Sequence, residues 1–290
     1  SDSAEDLEAL VDGRTKAIYL ENLGNPAFNV PDYEPIVEMA RRHGVCVMVD
    51  NTFGCGGYLF RPVDWGCNVS VHSATKWICG HGTTLGGVVV DGGNFDWTPE
   101  KYPLLAAPSE SYHGLVYKEV FGNAAFAGRV RVDGLRNIGP AQSPFNSFLM
   151  LQGLETLSLR AERCCSNALA IAEFLEGHPE VESVNYPGLK SSPYHGLAEK
   201  YLHGGFGGVL TFRVRGGFDA AAALVSRLEL ILHVGSVGDS KSLIVHPAST
   251  THSQLSPEEQ VAAGVYPNML RLSVGIENVD DLIADLSVAL

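Results

Sequence analysis

The sequence predicts an α/β fold, with a mostly parallel sheet flanked by helices and then a smaller α+β region. Three observations carry that expectation. VCVMVD (45–50) is a continuous apolar run, the pattern of a parallel strand covered on both faces. It follows a strand-like TKAIYLE (15–21) and a helix-like stretch over 32–42, and the order strand, helix, strand defines a βαβ unit. From Phe145 to Gly177 the pattern changes to apolar residues at three- and four-residue spacing, and a second set of short strands and helices follows.

Taken in order, Leu7 to Val11 reads as the end of a helix and 15–21 as a buried strand. Asn22 to Pro31 is a Gly/Pro/Asn loop, Asp32 is the expected N-cap of the next helix, and Gly44 its stop. Strands are expected at 45–50, 68–71 and 87–91. The stretch 145–177 reads as two helices, or one bent near Gly153. Beyond it come strands near 181–185, 207–214, 230–234 and 269–274, with helices at 218–227 and 279–289. Gly204 to Gly208 lacks a lysine and a following helix, so it reads as a flexible approach to a strand rather than a phosphate loop. The expected division is 1–144 for the large domain and 145–290 for linker helices plus a C-terminal domain. The first strand stands just ahead of the chemistry-bearing loops with no Gly-rich phosphate turn before it, so the large domain is expected to lack its N-terminal part.

Composition narrows the function. With 20 Lys and Arg against 33 Asp and Glu, the formal charge of −13 repels a phosphate backbone, so no nucleic-acid partner is expected. No apolar run reaches the roughly 18 residues of a membrane helix, and no membrane partner is expected either. The six cysteines form no C-x-x-C pair and no zinc-like cluster; they read as reduced thiols, which suggests a cytoplasmic protein. His246 and His252 straddle Pro247 at a spacing ill-suited to a metal, so no metal is expected.

Two residues stand out on position. Asp50 ends a strand of Val, Cys and Met, and in open parallel sheets ligands bind beyond the carboxyl ends of strands. The plain alternative is that Asp50 caps the DNTFG turn. Lys76 lies in SATK, between an apolar strand and a loop holding Gly80, Gly82, Gly86 and Gly87. Partial desolvation there would favour its neutral amine, the form that condenses with an aldehyde; the alternative is a solvated strand cap. An amine, a carboxylate and the flanking hydroxyls of Ser73 and Thr75 are the parts pyridoxal phosphate (PLP) needs for its C4′, ring nitrogen and phosphate. Arg271, inside the strand-like LRLSV, needs an anion to justify burial, either a substrate carboxylate or a nearby acid.

DNTFGCGGYLFRPVDWG (50–66) and VHSATKWICGHGTTLGGVVVD (71–91) closely resemble the Cys/Met-metabolism PLP enzymes of fold type I. YLENLGNP (19–26), SPFNSFLMLQGLETLSLR (143–160), VGDSKSLIVHPASTTHSQLS (237–256) and LRLSVGIEN (270–278) extend the resemblance to essentially the whole chain. By resemblance, Lys76 matches the Schiff-base lysine, Asp50 the ring-nitrogen partner, and Ser73 and Thr75 the phosphate contacts. Asn25 matches the asparagine near the cofactor O3′, Arg271 the clamp for the substrate α-carboxylate, and Ser236 a contributor to that pocket. The family's ring-stacking aromatic and phosphate loop come from an earlier region and have no match in 1–290.

Within the family, GGYLFRP, GHGTT, SVGDSKSL and HPASTTH resemble the enzymes that act on O-acetylhomoserine. The resemblance implies γ-substitution with sulfide or another small nucleophile, giving homocysteine or a related amino acid, in a homotetramer built as a dimer of dimers. Other readings are a relative from a secondary pathway using a carbon or nitrogen nucleophile, a cystathionine or methionine γ-lyase, or a truncated, non-catalytic scaffold. The γ-lyases are expected to carry a glutamate in place of the Asp239-Ser240-Lys241 stretch and a methionine where Thr250 stands.

Overall fold

Two sheets organise this computed structural model, which describes residues 3–290. In the first sheet, β1 (Ala17–Glu21), β2 (Cys46–Asp50) and β3 (Val69–Ser73) run parallel, in the order β1-β2-β3-β4. The last strand, β4 (Gly87–Asp91), is antiparallel to β3. The β3–β4 connection contains no helical crossover; it closes on itself as Thr75 N–H donates to the Gly86 carbonyl at 3.3 Å. β1 differs from its expected full burial. Ile18 and Leu20 face the core, but Ala17, Tyr19 and Glu21 lie on an open face, with Tyr19 58% exposed.

Between β1 and β2, α2 (Tyr33–Arg42) turns Ile36, Met39 and Ala40 into the core, and α1 (Ala4–Glu8) packs beside it. The helix starts where expected, yet the Asp32 carboxylate makes no cap bond; it accepts instead from Tyr201 and from Lys200. Gly44 ends the segment at φ +57°, the left-handed conformation that glycine adopts without penalty. Short helices α3 (Pro103–Ala106), α4 (Tyr117–Phe121) and α5 (Ala125–Arg129) and a wide-turn helix over Val130–Ile138 then cover part of the open face. Each is too short to show a helical period, so none was legible in the sequence.

The long apolar stretch forms two helices, α6 (Pro144–Glu155) and α7 (Leu157–Glu176). The break falls at Thr156 and not at Gly153, which stays helical because it packs backbone to backbone. A Cβ there would lie 2.3 Å from the Ile78 carbonyl oxygen and 2.4 Å from that of Cys79. Buried Arg160 of α7 ties the same region, donating to the Trp77 carbonyl (2.9 Å), the Gly153 carbonyl (2.5 Å) and Thr156 Oγ1 (3.1 Å).

The second sheet has the order β5-β6-β9-β8-β7. Its strands are β5 (Val181–Asn185), β6 (Val209–Val214), β7 (Leu232–His233), β8 (Leu243–Val245) and β9 (Met269–Ser273). Helices α8 (His195–Tyr201), α9 (Gly217–Arg227), α10 (Pro257–Ala262) and α11 (Val279–Ala289) complete this part. β8, α8 and α10 add to the expected elements; β8 is a three-residue LIV run that pairing with β7 and β9 defines. Among the described residues all six cysteines are buried free thiols. Burial pushes Cys46, Cys67 and Cys164 up to about 12 and Cys165 up to about 11.

Gly153→Ala should destabilise the protein by about 1–3 kcal/mol, since its methyl meets backbone that cannot rotate away. Urea unfolding measures this, and an unchanged midpoint would show that α6 can slide off the Ile78–Cys79 turn.

Candidate active site

The carboxyl ends of β1, β2 and β3 open into a cavity of ≈320 Å³, within the roughly 300–1,000 Å³ range of small-molecule sites. Glu21, Asp50 and Ser73 reach it from those strand ends, with Asn25, Thr52 and Phe53 from the adjoining loops and Lys76 from the turn after β3. Arg271 of β9 closes it, with Gly235, Ser236 and Val237 from the β7–β8 loop and Thr251 from the loop after β8. A larger cavity of ≈560 Å³ lies at the amino ends of the same strands, against Ala17, Cys46 and Met48. Its wall is mainly apolar, and the one thiol there, Cys46, is pushed up to about 12 by burial.

Parallel register explains the acidic side. Glu21 pairs with Asp50 across β1 and β2, so both carboxylates emerge at one edge and on one face. Asp50 satisfies both readings of its position: Oδ1 accepts from Thr52 N–H at 2.9 Å, capping the turn, and the residue also lines the cavity. Oδ2 accepts from the Tyr19 hydroxyl at 3.4 Å. Burial and the nearby Asp50 charge raise the Glu21 carboxyl above its usual range, partly offset by the Asn25 N–H that it accepts at 2.8 Å. Glu21 was missed in the sequence, although the strand-end rule that selects Asp50 applies equally to it.

The basic side comes from two elements far apart in the chain. Lys76 sits in a tight turn held by Lys76 N–H to Ser73 C=O (3.2 Å) and Gly80 N–H to Lys76 C=O (2.7 Å). Trp77 anchors the turn beneath, 2% exposed and 5.2 Å from the Phe53 ring centroid. Lys76 Nζ donates to Ser236 Oγ at 2.9 Å. Burial lowers the Lys76 pKa, and the like charge of Arg271 lowers it further. Arg271, on β9, donates from Nη1 to Asn25 Oδ1 at 3.2 Å. Among the described residues it has no carboxylate within ion-pair distance, which leaves a half-buried guanidinium without an anion.

Six of the seven residues expected from the sequence line this one cavity: Lys76, Asp50, Ser73, Asn25, Ser236 and Arg271. Thr75 differs. Its hydroxyl was expected to face the same phosphate as Ser73, but Oγ1 accepts from Gly86 N–H (3.2 Å) and lies 3.4 Å from the Gly86 carbonyl. Closing the β3–β4 connection draws the side chain to that turn. Thr52, whose Oγ1 fixes Ser73 N–H at 2.8 Å, supplies a hydroxyl that the sequence did not flag. His246 is buried away from the cavity, between Ser249 Oγ (2.9 Å) and the Pro267 carbonyl (2.7 Å).

A strand-end carboxylate, a desolvated amine, clustered hydroxyls and an arginine lacking an anion make a donor set that fits pyridoxal phosphate and an amino acid, on a fold-type-I scaffold. This is a PLP-dependent enzyme. The chain belongs to the Cys/Met metabolism PLP-dependent enzyme family, whose profile it matches over residues 1–290. It is 54% identical over 286 residues to O-acetyl-L-homoserine sulfhydrylase 1 of Thermus thermophilus, covering 99% of this chain and 68% of that protein. It is 53% identical over 291 residues to homocysteine synthase of Schizosaccharomyces pombe, covering 100% of this chain and 68% of that one. A crystal structure assigned as an O-acetylhomoserine (thiol)-lyase of Campylobacter jejuni superposes with a TM-score of 0.94 at 41% identity. The match covers 99% of this chain and 69% of that one, which carries an N′-pyridoxyl-lysine-5′-monophosphate.

A lysine whose pKa falls on folding binds fewer protons folded than unfolded, so stability rises with pH up to lysine's ordinary value near about 10.4. Cofactor-free Lys76→Met should therefore be more stable than the parent at neutral pH, with the difference shrinking as pH approaches that value. Urea titrations at neutral and alkaline pH test this; a constant difference would mean that Lys76 is not desolvated.

Proposed function

We propose that this chain catalyses γ-substitution on O-acetylhomoserine, with sulfide or a small thiol as nucleophile, giving homocysteine or its thioether. The observation that carries the reading is the uncompensated Arg271 in one cavity with Lys76 and Asp50. Its support from outside the structure is the set of relatives named as O-acetylhomoserine sulfhydrylases and homocysteine synthases. Asp239-Ser240-Lys241 and Thr250, where γ-lyases are expected to differ, favour substitution over cleavage.

When bound, PLP supplies an aldehyde that takes up amines and a ring that withdraws electrons from the substrate's Cα. The residues proposed to hold it are Lys76, Asp50, Ser73 and Asn25, with Thr52 beside them in the place expected for Thr75. Asp50 holds the proton on the ring nitrogen, since an anion beside that atom favours its protonated form. Arg271 binds the α-carboxylate through its fork of donors and fixes the substrate's orientation. Lys76, whose neutral amine is favoured by burial, takes a proton from Cα and then one from Cβ as acetate leaves Cγ, and returns protons at Cβ and Cα once the nucleophile has bonded to Cγ. Ser236 Oγ, 2.9 Å from Lys76 Nζ, gives the amine a resting position beside the substrate.

The six buried free thiols support a reducing, cytoplasmic setting. Self-association into a tetramer fits the apolar face that α6 leaves open at Phe145, Phe148 and Leu151.

The preparation tested should be the cofactor-loaded enzyme, given O-acetylhomoserine or O-succinylhomoserine with sulfide and, separately, cystathionine alone. Mass spectrometry should find homocysteine from the acetyl ester; 2-oxobutyrate released from cystathionine at a higher rate would assign the lyase reading instead. Lys76→Ala should abolish turnover and borohydride trapping at that position. Arg271→Ala should raise KM by about tenfold or more, the loss of a charged hydrogen bond worth roughly 1.5–3 kcal/mol. An unchanged KM would return Arg271 to a structural role.

A further inference from the structure

Glu21 and Arg271 line the same cavity, yet they are not paired. A direct ion pair would neutralise the guanidinium and compete with any incoming carboxylate. Glu21 is engaged elsewhere: Oε2 accepts the Asn25 N–H at 2.8 Å. Asn25 in turn presents Oδ1 to Arg271 Nη1 at 3.2 Å. The chain of contacts therefore runs from carboxylate to backbone amide, and from side-chain amide to guanidinium. A neutral acceptor gives the arginine a direction without cancelling its charge.

We propose that Glu21 is a positioning residue for substrate binding, holding the Asn25 loop so that Asn25 aims Arg271 at the substrate α-carboxylate while Glu21 itself is kept from pairing with that arginine. The inference rests on the reading of Arg271 as the carboxylate clamp. It assigns a role to an acid that the reaction steps do not use. The strand register makes the arrangement specific, because Glu21 ends β1 opposite Asp50 and its side chain is delivered to the loop that begins with Asn22. Removing the acceptor frees the Asn25 backbone and leaves Arg271 to wander. Replacing the carboxylate with an amide keeps an acceptor oxygen and removes only the charge.

The test uses cofactor-loaded enzyme and compares Glu21→Ala, Glu21→Gln and Arg271→Ala. Glu21→Ala should raise KM for O-acetylhomoserine by about five- to tenfold with kcat within about twofold, in line with losing the alignment of one charged hydrogen bond. Glu21→Gln should return KM to the parent value or below it. The dissociation constant of L-norvaline, which has the amine and α-carboxylate but no leaving group, should follow the same order in calorimetry. Thermal unfolding of each variant separates misfolding from misalignment. If Arg271→Ala raises KM and Glu21→Ala does not, or if the alanine and glutamine variants behave alike, the positioning role is overturned while the clamp survives. If Arg271→Ala leaves KM and norvaline affinity unchanged, the clamp itself fails and the Glu21 inference falls with it.

Discussion

The hydrogen bond from Lys76 Nζ to Ser236 Oγ joins the two halves of the chain at the point where the chemistry is concentrated. A partly buried amine needs a polar partner, and here the partner comes from the loop between β7 and β8, far along the sequence. The contact therefore depends on the packing of both sheets around α6 and α7. Arg160 and Gly153 act at the same joint, because one donates to the Trp77 carbonyl and the other admits the Ile78–Cys79 backbone at close range. The burial that lowers the amine's pKa, and the Arg271 charge that lowers it further, both follow from that packing.

Opposed charges share the cavity without collapsing onto one another. Asp50 and Glu21 emerge together because β1 and β2 pair in register. Lys76 and Arg271 face them from a turn and from β9. Hydroxyl, amide and backbone groups stand between the charges, so each ion has a polar partner of its own: Thr52 N–H for Asp50, Asn25 N–H for Glu21, Ser236 for Lys76 and Asn25 Oδ1 for Arg271. Buried ion pairs that are fully satisfied gain little and leave nothing for a ligand. Partners that are neutral hold the geometry and keep the charges available.

Much of this was legible in the sequence. Apolar runs and the βαβ order disclosed β1, α2, β2 and β3, and the strand-end rule disclosed Asp50. SATK and HPASTTH carried the family. The parts that were not legible have physical reasons. Helices such as α3 and α5 are shorter than two turns and leave no period. β1 reads as fully buried although Tyr19 faces outward, since an aromatic side chain is compatible with either side of a sheet. Thr75 alternates with Ser73 in sequence, but a tight turn does not keep strand alternation, and the hydroxyl goes to Gly86. Glu21 was overlooked although it ends β1 as Asp50 ends β2; what the segment alone does not display is the register that sets the two carboxylates side by side.

Burial also governs the reactivity of the thiols. Attack on a disulfide or persulfide runs through the thiolate, and five of the six cysteines have that form suppressed by burial, Cys46, Cys67 and Cys164 reaching about 12. Cys79 departs from this, its Sγ 3.5 Å from Thr83 Oγ1 and its pKa drawn down by surrounding hydrogen bonds, yet it too is closed off from solvent. A disulfide or persulfide that reaches the protein therefore meets few thiolates able to attack it.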